Sequence, residues 1–319
     1  MLATYQKCVQ IAILFMLKLL RKYHFQAFWM GVIEMIADRS YEPEKLLMGV
    51  KVKTIESLLP RKDRIVNMRA CLKHFCDFRF NNSQNLACLT TDMQFLQNLH
   101  LKNLETHQIA PFLEIKTATF HTAITEHGKY EFKFELLDFI FEGSWGITIQ
   151  YTNETDKHFL YKISFCKTHH NHLLIGAIQG VKDLNELHYQ FFAKYCKTRP
   201  NFFLIKLAKE LGEVLGCSKV LGIPNNGQIS LNGNNQKVFQ DHDKFFASCE
   251  AQLVEVDNFT YWEIPKIEKA IEEYPQKHRA KQRARRKIMQ TFRESLQDII
   301  VLKPQNLATN PPPKKTELI

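Results

Sequence analysis

Lys197, Arg199 and Asn201 stand in "KTRPNFFLIKLAKELG", residues 197 to 212, where an amphipathic pattern begins directly after Pro200. Proline suits the first helical position, because an amide proton there would have no acceptor within the helix. The amides of Asn201 and Phe202 would then face outward at the positive end of the helix dipole. With two cations beside them, that arrangement suits a phosphate or pyrophosphate. The alternative is a solvated helix start whose arginine pairs with a surface carboxylate. No GxGxxG or Walker pattern occurs, so a nucleotide loop of those types is not expected.

Three other groupings could carry chemistry. In "QDHDKFF", His242 lies between Asp241 and Asp243; a histidine tuned by a carboxylate suits acid–base work, and either aspartate equally suits capping of a following helix. "KTHHNH" gathers His169, His170 and His172, but a metal needs three or four converging ligands and no partner cluster stands out, so no metal is expected. In "KHRAKQRARRK", Lys277, Arg279, Lys281, Arg283, Arg285, Arg286 and Lys287 spread positive charge around most of a helix. Such a helix serves an anionic partner, whether nucleic acid, an acidic membrane or a phosphorylated ligand, or is simply a solvated face.

The elements that must position these residues follow from periodicity. Residues 1 to about 110 read as mostly helical, including an apolar helix over about 1–38 and a helix opened by Thr90, Thr91 and Asp92. From Pro111 the texture changes to period two. "KYEFKFELLDFIF" sets Tyr130, Phe132 and Phe134 opposite Lys133 and Glu135, and "HFLYKISFCK" continues the meander. "HLLIGAIQG" is apolar throughout, as a strand covered on both sides would be. Helices, the buried strand "KVLGI", a short helix at "HDKFFASCEAQ" and the strand "FTYWEIP" follow. A long helix over about 266–300 then carries Ala280, Ala284, Ile288, Phe292 and Leu296 as a docking stripe. The fold class is α+β: an N-terminal helical region (1–110), a mixed-sheet domain with a basic C-terminal helix (111–302), and a Pro-rich disordered tail (303–319).

At 319 residues, 45% hydrophobic, the chain holds ample core material, and a net charge of +10 points to an anionic partner. Its eight cysteines form no CxxC pair and several sit in apolar patterns, the usage of reduced thiols in a cytoplasmic protein. The unbroken apolar run from Ile11 to Leu17 is too short to span a bilayer; a docked helix and peripheral attachment to an inner membrane are its two readings.

"LLIGAIQG", "AKYCKTRPNFFLIKLAKELGEVLG", "KVLGIPNNGQI", "DHDKFFASCEAQ", "WEIP" and "KHRAKQRARRK" occur in the order and spacing of the VirK/YbjX family of bacterial proteins, which the chain resembles over about residues 128–300. His242 and Phe246 stand where that family has Tyr and Trp, "CEAQ" replaces its E-GG ending, and Asn201 stands where it has Lys. The resemblance implies a cytoplasmic or envelope-associated protein linked to virulence and surface remodelling, without an agreed reaction.

The same segments also resemble, more faintly and without the glycine-rich pyrophosphate signature, the GCN5-related acyltransferases. That likeness implies an acyltransferase-like strand–helix–strand core acting on an envelope component or a protein amine, with coenzyme A or an acyl-carrier thioester as cofactor. It would give the carrier's phosphates to Lys197, Arg199, Asn201 and Phe202, the thioester to the strand end at Gln179 and Gly180, and carrier positioning to Asn225. The acid would be Tyr261, His242 or Asp243. The competing class is a non-catalytic basic protein that docks acidic lipid or nucleic acid through residues 277 to 287.

Overall fold

The computed structural model describes residues 74–137, 142–153, 157–181, 186–231 and 241–303. The helix expected over about 1–38 falls outside them, as does the tail from residue 304.

Helix α1 (Asn82–Asn98) starts well before Thr90. Asn81 accepts from the Gln84 amide at 2.9 Å and the Gln84 side chain accepts from the Asn81 amide at 3.0 Å, a reciprocal capping box. Thr90, Thr91 and Asp92 are therefore interior to the helix rather than its caps. Asp92 is fully buried, where it accepts from Trp145 Nε1 (2.9 Å), the Lys167 amide (2.6 Å) and the Ser144 hydroxyl.

Strands β1 (Leu99–Lys102) and β2 (Ile109–Pro111) and the single turn α2 (Phe112–Ile115) follow. The main sheet then runs β3 (Thr117–Thr125), β4 (Gly128–Leu136), β5 (Trp145–Thr152), β6 (Lys157–Lys167), β7 (Leu173–Gly180). Helices α3 (Glu186–Cys196) and α4 (Pro200–Val214) connect β7 to β8 (Val220–Gly222). The chain continues through α5 (His242–Ser248), β9 (Gln252–Val256), β10 (Phe259–Glu263), α6 (Gln276–Ile299) and β11 (Ile300–Leu302). The eight-stranded sheet has the order β3-β4-β5-β6-β7-β8-β10-β9 and a second sheet the order β11-β1-β2. Within the large sheet, β7 and β8 pair in parallel and the other neighbours are antiparallel. The architecture is α+β, as the alternating texture predicts.

Alternation fixes which face is covered. Tyr130, Phe132 and Phe134 are fully buried, while Lys129, Glu131 and Lys133 pair with one another on the other face. Phe132 meets Phe203 of α4 (ring centroids 5.5 Å) and Phe292 of α6 (4.5 Å), so both helices lie on the apolar face. Each fully buried ring of this kind contributes about 1.5–3 kcal/mol. On the opposite face α1 covers β6, where Cys88 Sγ lies 3.1 Å from Cys166 Sγ. The docking stripe of α6 begins later than its spacing predicts. Met289, Phe292, Leu296 and Ile299 are buried, but Ala280 is exposed, because the first half of the helix borders a cleft instead of the core. Among the described residues no helix is long and apolar enough to cross a membrane.

Candidate functional site

Helix α4 begins at Pro200 with Arg199 as its N-cap, and the cap makes no side-chain hydrogen bond. The Phe202 amide is not free: Asn201 Oδ1 accepts from it at 3.0 Å. Arg199 is exposed and forms no ion pair with any described residue; burial raises the pKa of the Tyr161 hydroxyl, and Arg199 lies close enough to oppose that rise. Tyr161 pairs across the sheet with Gly180, so the start of α4 sits beside the C-terminal end of β7.

From there a cavity of about 610 Å³ runs along α4, bounded by the end of α5, the segment after β10 and the first half of α6. Lys197, Arg199, Lys206 and Lys209 line one side, and Lys269, Lys281 and Arg285 the other, seven cations against Glu250 and Glu268. Glu268 lies between Arg286 (2.9 Å), Lys206 (3.8 Å) and Lys209 (3.9 Å), and Glu250 holds Lys269 at 2.7 Å. Those two carboxylates leave Arg199 and Lys281 without an ion-pair partner among the described residues. Burial holds Lys206 below the ordinary lysine range; Glu268 opposes this, and the charges of Arg285, Lys209 and Arg286 add to it. A crowded positive cleft of this kind is stabilised by an anion. Two groupings read separately from the sequence, the start of α4 and the basic run of α6, therefore face each other across one cavity.

The basic run itself divides. Arg279 donates to the carbonyls of Tyr274 (2.9 Å) and Glu272 (2.7 Å), and Arg286 to Glu268, so these two tie the helix to the segment that precedes it. Lys281 and Arg285 line the cleft, while Lys277, Arg283 and Lys287 are exposed.

Asn225, Asp241, His242 and Asp243 meet where β8 ends. Asp241 caps α5, its Oδ1 accepting from the Lys244 amide (3.1 Å) and Asn225 Nδ2 (2.9 Å). Asn225 Oδ1 accepts from the His242 amide (2.8 Å), and Asp243 accepts from Trp262 Nε1 (2.7 Å). Both ends of the Asn225 side chain are thus taken up in holding α5 to the sheet. His242 is buried, its Nδ1 has no hydrogen-bond partner among the described residues, and burial lowers its pKa. Tyr261 does not join this group. Strand alternation turns its neighbour Trp262 toward α5 and Tyr261 to the opposite face, 4.9 Å below the Arg79 guanidinium. Burial, then the Asp77 carboxylate, push its hydroxyl above the ordinary tyrosine range.

The strand end at Gln179 and Gly180 holds a carboxylate that the sequence reading missed. β7 and β8 pair only through Leu173–Ile175 and Val220–Gly222, and the Ile223 amide donates to the Ile175 carbonyl at 3.3 Å. Beyond that bond no ladder joins them among the described residues, and β7 bulges there, its register with β6 shifting between Ser164 and Phe165. Glu142 lies against this split, 8% exposed, accepting from Gln179 Nε2 at 2.7 Å, with its carbonyl accepting from the Ser164 hydroxyl at 2.5 Å. Burial raises its pKa, against a Ser230 hydrogen bond and the Lys162 charge. Glycines make the approach possible: a Cβ on Gly176 would stand 1.7 Å from the Glu142 carbonyl oxygen, and one on Gly146 2.1 Å from that of Ile163. Closely spaced glycines around one acid, "FEGSWG", were the available signal.

A family model described as "Protein of unknown function (DUF535)" matches residues 49–298. The chain belongs to the DUF535 family. That family includes VirK/YbjX-type proteins, so the first resemblance holds at family level, and the match extends well before residue 128. Two proteins of the bacterium Haemophilus influenzae, both named only as uncharacterized, are similar to this DUF535 chain. One is 27% identical over 234 residues, 72% of this chain and 75% of the relative. The other is 26% identical over 224 residues, 66% of this chain and 68% of the relative. No solved structure matches, and these comparisons lend no support to the likeness with GCN5-related acyltransferases.

Proposed function

We propose that this DUF535 protein binds a phosphorylated carrier in the cleft between α4 and α6 and transfers an acyl group from it to an amine of an envelope component or a protein. The observation that carries the binding half is the cleft's seven cations against two carboxylates, converging on the start of α4. Coenzyme A and the phosphopantetheine of an acyl carrier share the required chemistry, a phosphate joined to a thiol arm.

The transfer half draws support from the strands. A meander whose last strand runs parallel to β8 and parts from it after Ile175 leaves main-chain groups of β7 beyond that residue available to polarise a thioester carbonyl. Glu142, on the opposite face of the split from α4, is the proton acceptor of this reading. As the amine nitrogen bonds to the thioester carbon, the carbon–sulfur bond breaks, the ammonium proton passes to the carboxylate, and the leaving thiolate takes up a proton. A carboxyl whose pKa is raised by burial is suited to that exchange near neutral pH.

The test is calorimetry of the full chain with coenzyme A, acetyl-coenzyme A and an acyl carrier protein, followed by mass spectrometry of amine acceptors. Absence of heat, thermal shift and adduct with all three would sink the proposal. A second reading rests on Lys277, Arg283 and Lys287, which are exposed and do not line the cleft: docking of acidic lipid or nucleic acid. Its signature is vesicle or oligonucleotide binding that collapses with added salt and is abolished by reversing Arg283, while salt-insensitive binding removes it.

A further inference from the structure

The turn between β6 and β7 sets His169 and His170 against Asp257, which lies in the turn between β9 and β10. One ligand atom from each of the three side chains falls within 4.8 Å of the other two. His170 Nε2 lies 2.8 and 3.0 Å from the two Asp257 oxygens, and His169 Nε2 lies 3.9 Å from Oδ2. The sequence gathers His169, His170 and His172 without a partner cluster; the structure brings Asp257 to the first two from a distant part of the chain.

The convergence is built by the backbone as well as by the pair itself. Asn171 (φ 61°), Asp257 (φ 53°) and Asn258 (φ 65°) occupy the left-handed region, the conformation tight turns require and one that Asn and Asp tolerate. The histidine turn is pinned from outside: Asn171 Nδ2 donates to the Gly216 carbonyl at 2.7 Å, and the Ser218 hydroxyl to the His170 carbonyl at 3.0 Å. The ammonium groups of Lys219 and Lys167 are engaged elsewhere, Lys219 by Glu263 at 2.6 Å and Lys167 by Asn171 and Cys217.

We infer that His169, His170 and Asp257 form a binding site for a divalent transition-metal ion of the zinc class. Two imidazoles and one carboxylate are a borderline donor set that favours zinc, nickel or copper over magnesium or calcium. All three residues are exposed, so a fourth position is open to water. A bound ion would join the β6–β7 turn to the hairpin that ends the large sheet, and would do so only in the folded chain. This site is independent of the carrier cleft, and its failure would leave that reading untouched.

The experiment titrates the chelator-treated full-length protein with zinc by calorimetry and with cobalt by visible absorption, each beside thermal unfolding. Expected are one zinc per chain at a dissociation constant in the micromolar range, cobalt d–d bands, and a melting temperature that rises with zinc concentration. His170→Ala and Asp257→Asn should each weaken zinc at least about tenfold and abolish the thermal shift. Both replace exposed side chains, and an unchanged circular dichroism spectrum checks that they fold. Zinc affinity that is equal in wild type and Asp257→Asn, or weaker than about 1 mM in wild type, overturns the site and leaves a His170–Asp257 ion pair only.

Discussion

Arg285 donates its Nε–H to the main-chain carbonyl of Lys197 at 2.8 Å, joining the basic C-terminal helix to the turn that precedes α4. Lys197 sits in the left-handed region at φ 58°, which a lysine adopts at a cost that its surroundings must offset. Removing Arg285 therefore loosens the turn as well as subtracting a charge, whereas Arg199, exposed beside it, subtracts charge alone. Arg199→Ala should weaken coenzyme A by roughly 10- to 150-fold, the equivalent of a charge-assisted contact of about 1.5–3 kcal/mol. Its melting temperature should match the wild type's. Arg285→Ala should lower both affinity and melting temperature. Calorimetry and thermal denaturation of the two variants separate the effects, and unchanged affinity in Arg199→Ala would remove the start of α4 from the site.

Glu142→Gln keeps a side chain of the same shape against Gln179 but cannot accept a proton. With acyl-coenzyme A and an amine acceptor, kcat should fall by about 10²- to 10⁴-fold while KM for the carrier stays close to wild type. Because burial raises the Glu142 pKa, the wild-type rate should climb with pH as this carboxyl ionises, and the variant should lose that limb. A variant that retains the wild-type pH profile would assign the proton transfer to another group.

The sheet and its helices were legible because their signals are local. Period-two alternation in "KYEFKFEL" and the continuous apolar run of "LLIGAIQG" state which faces are buried, and Pro200 marks the start of α4. Capping was harder. Asn81 with Gln84 and Thr90–Asp92 offer similar residue types, and only the burial of Asp92 against Ser144, Trp145 and Lys167 decides between them. The site was half legible: the cations were visible, but that Lys197 and Arg285 share a cavity depends on packing of α6 across α4. Glu142 and Asp257 were invisible for the same reason, since each acquires its meaning from a partner remote in sequence. That Tyr261 lies apart from His242 and Asp243 was not legible, because a strand reading gives two faces without saying which of them meets α5.

Gly176 and Gly216 test whether Glu142 is held by close approach. Gly216, at φ 65° with nothing within 4 Å of an added Cβ, should lose only about 1 kcal/mol on replacement by alanine, the left-handed penalty alone. At Gly176 the added Cβ would stand 1.7 Å from a main-chain oxygen that cannot rotate away. Gly176→Ala should cost at least about 1–3 kcal/mol and displace the Glu142 segment. Denaturant midpoints of the two variants should differ in that order. Equal midpoints would mean that the 142–146 segment yields freely and does not fix the carboxylate.

Asp92 should leave a signature in the pH dependence of stability. Burial raises its pKa to about 7, outweighing the hydrogen bonds from Ser144, Trp145 and the Lys167 amide. In the unfolded chain the group titrates near its ordinary value of about 3.9. Between those two values the folded state binds more protons than the unfolded one, so this group's contribution makes stability fall as pH rises from about 4 to about 7. Asp92→Asn cannot titrate, yet its Oδ1 can still accept from Trp145 and Lys167 while its amide donates to the Ser144 oxygen. Urea unfolding of both proteins at pH 4.5 and pH 7.5 should show the wild type losing stability relative to the variant, by an amount on the order of 1–4 kcal/mol. If the wild type instead gains on the variant over that interval, the three donors stabilise an ionised carboxylate and burial is not the dominant influence.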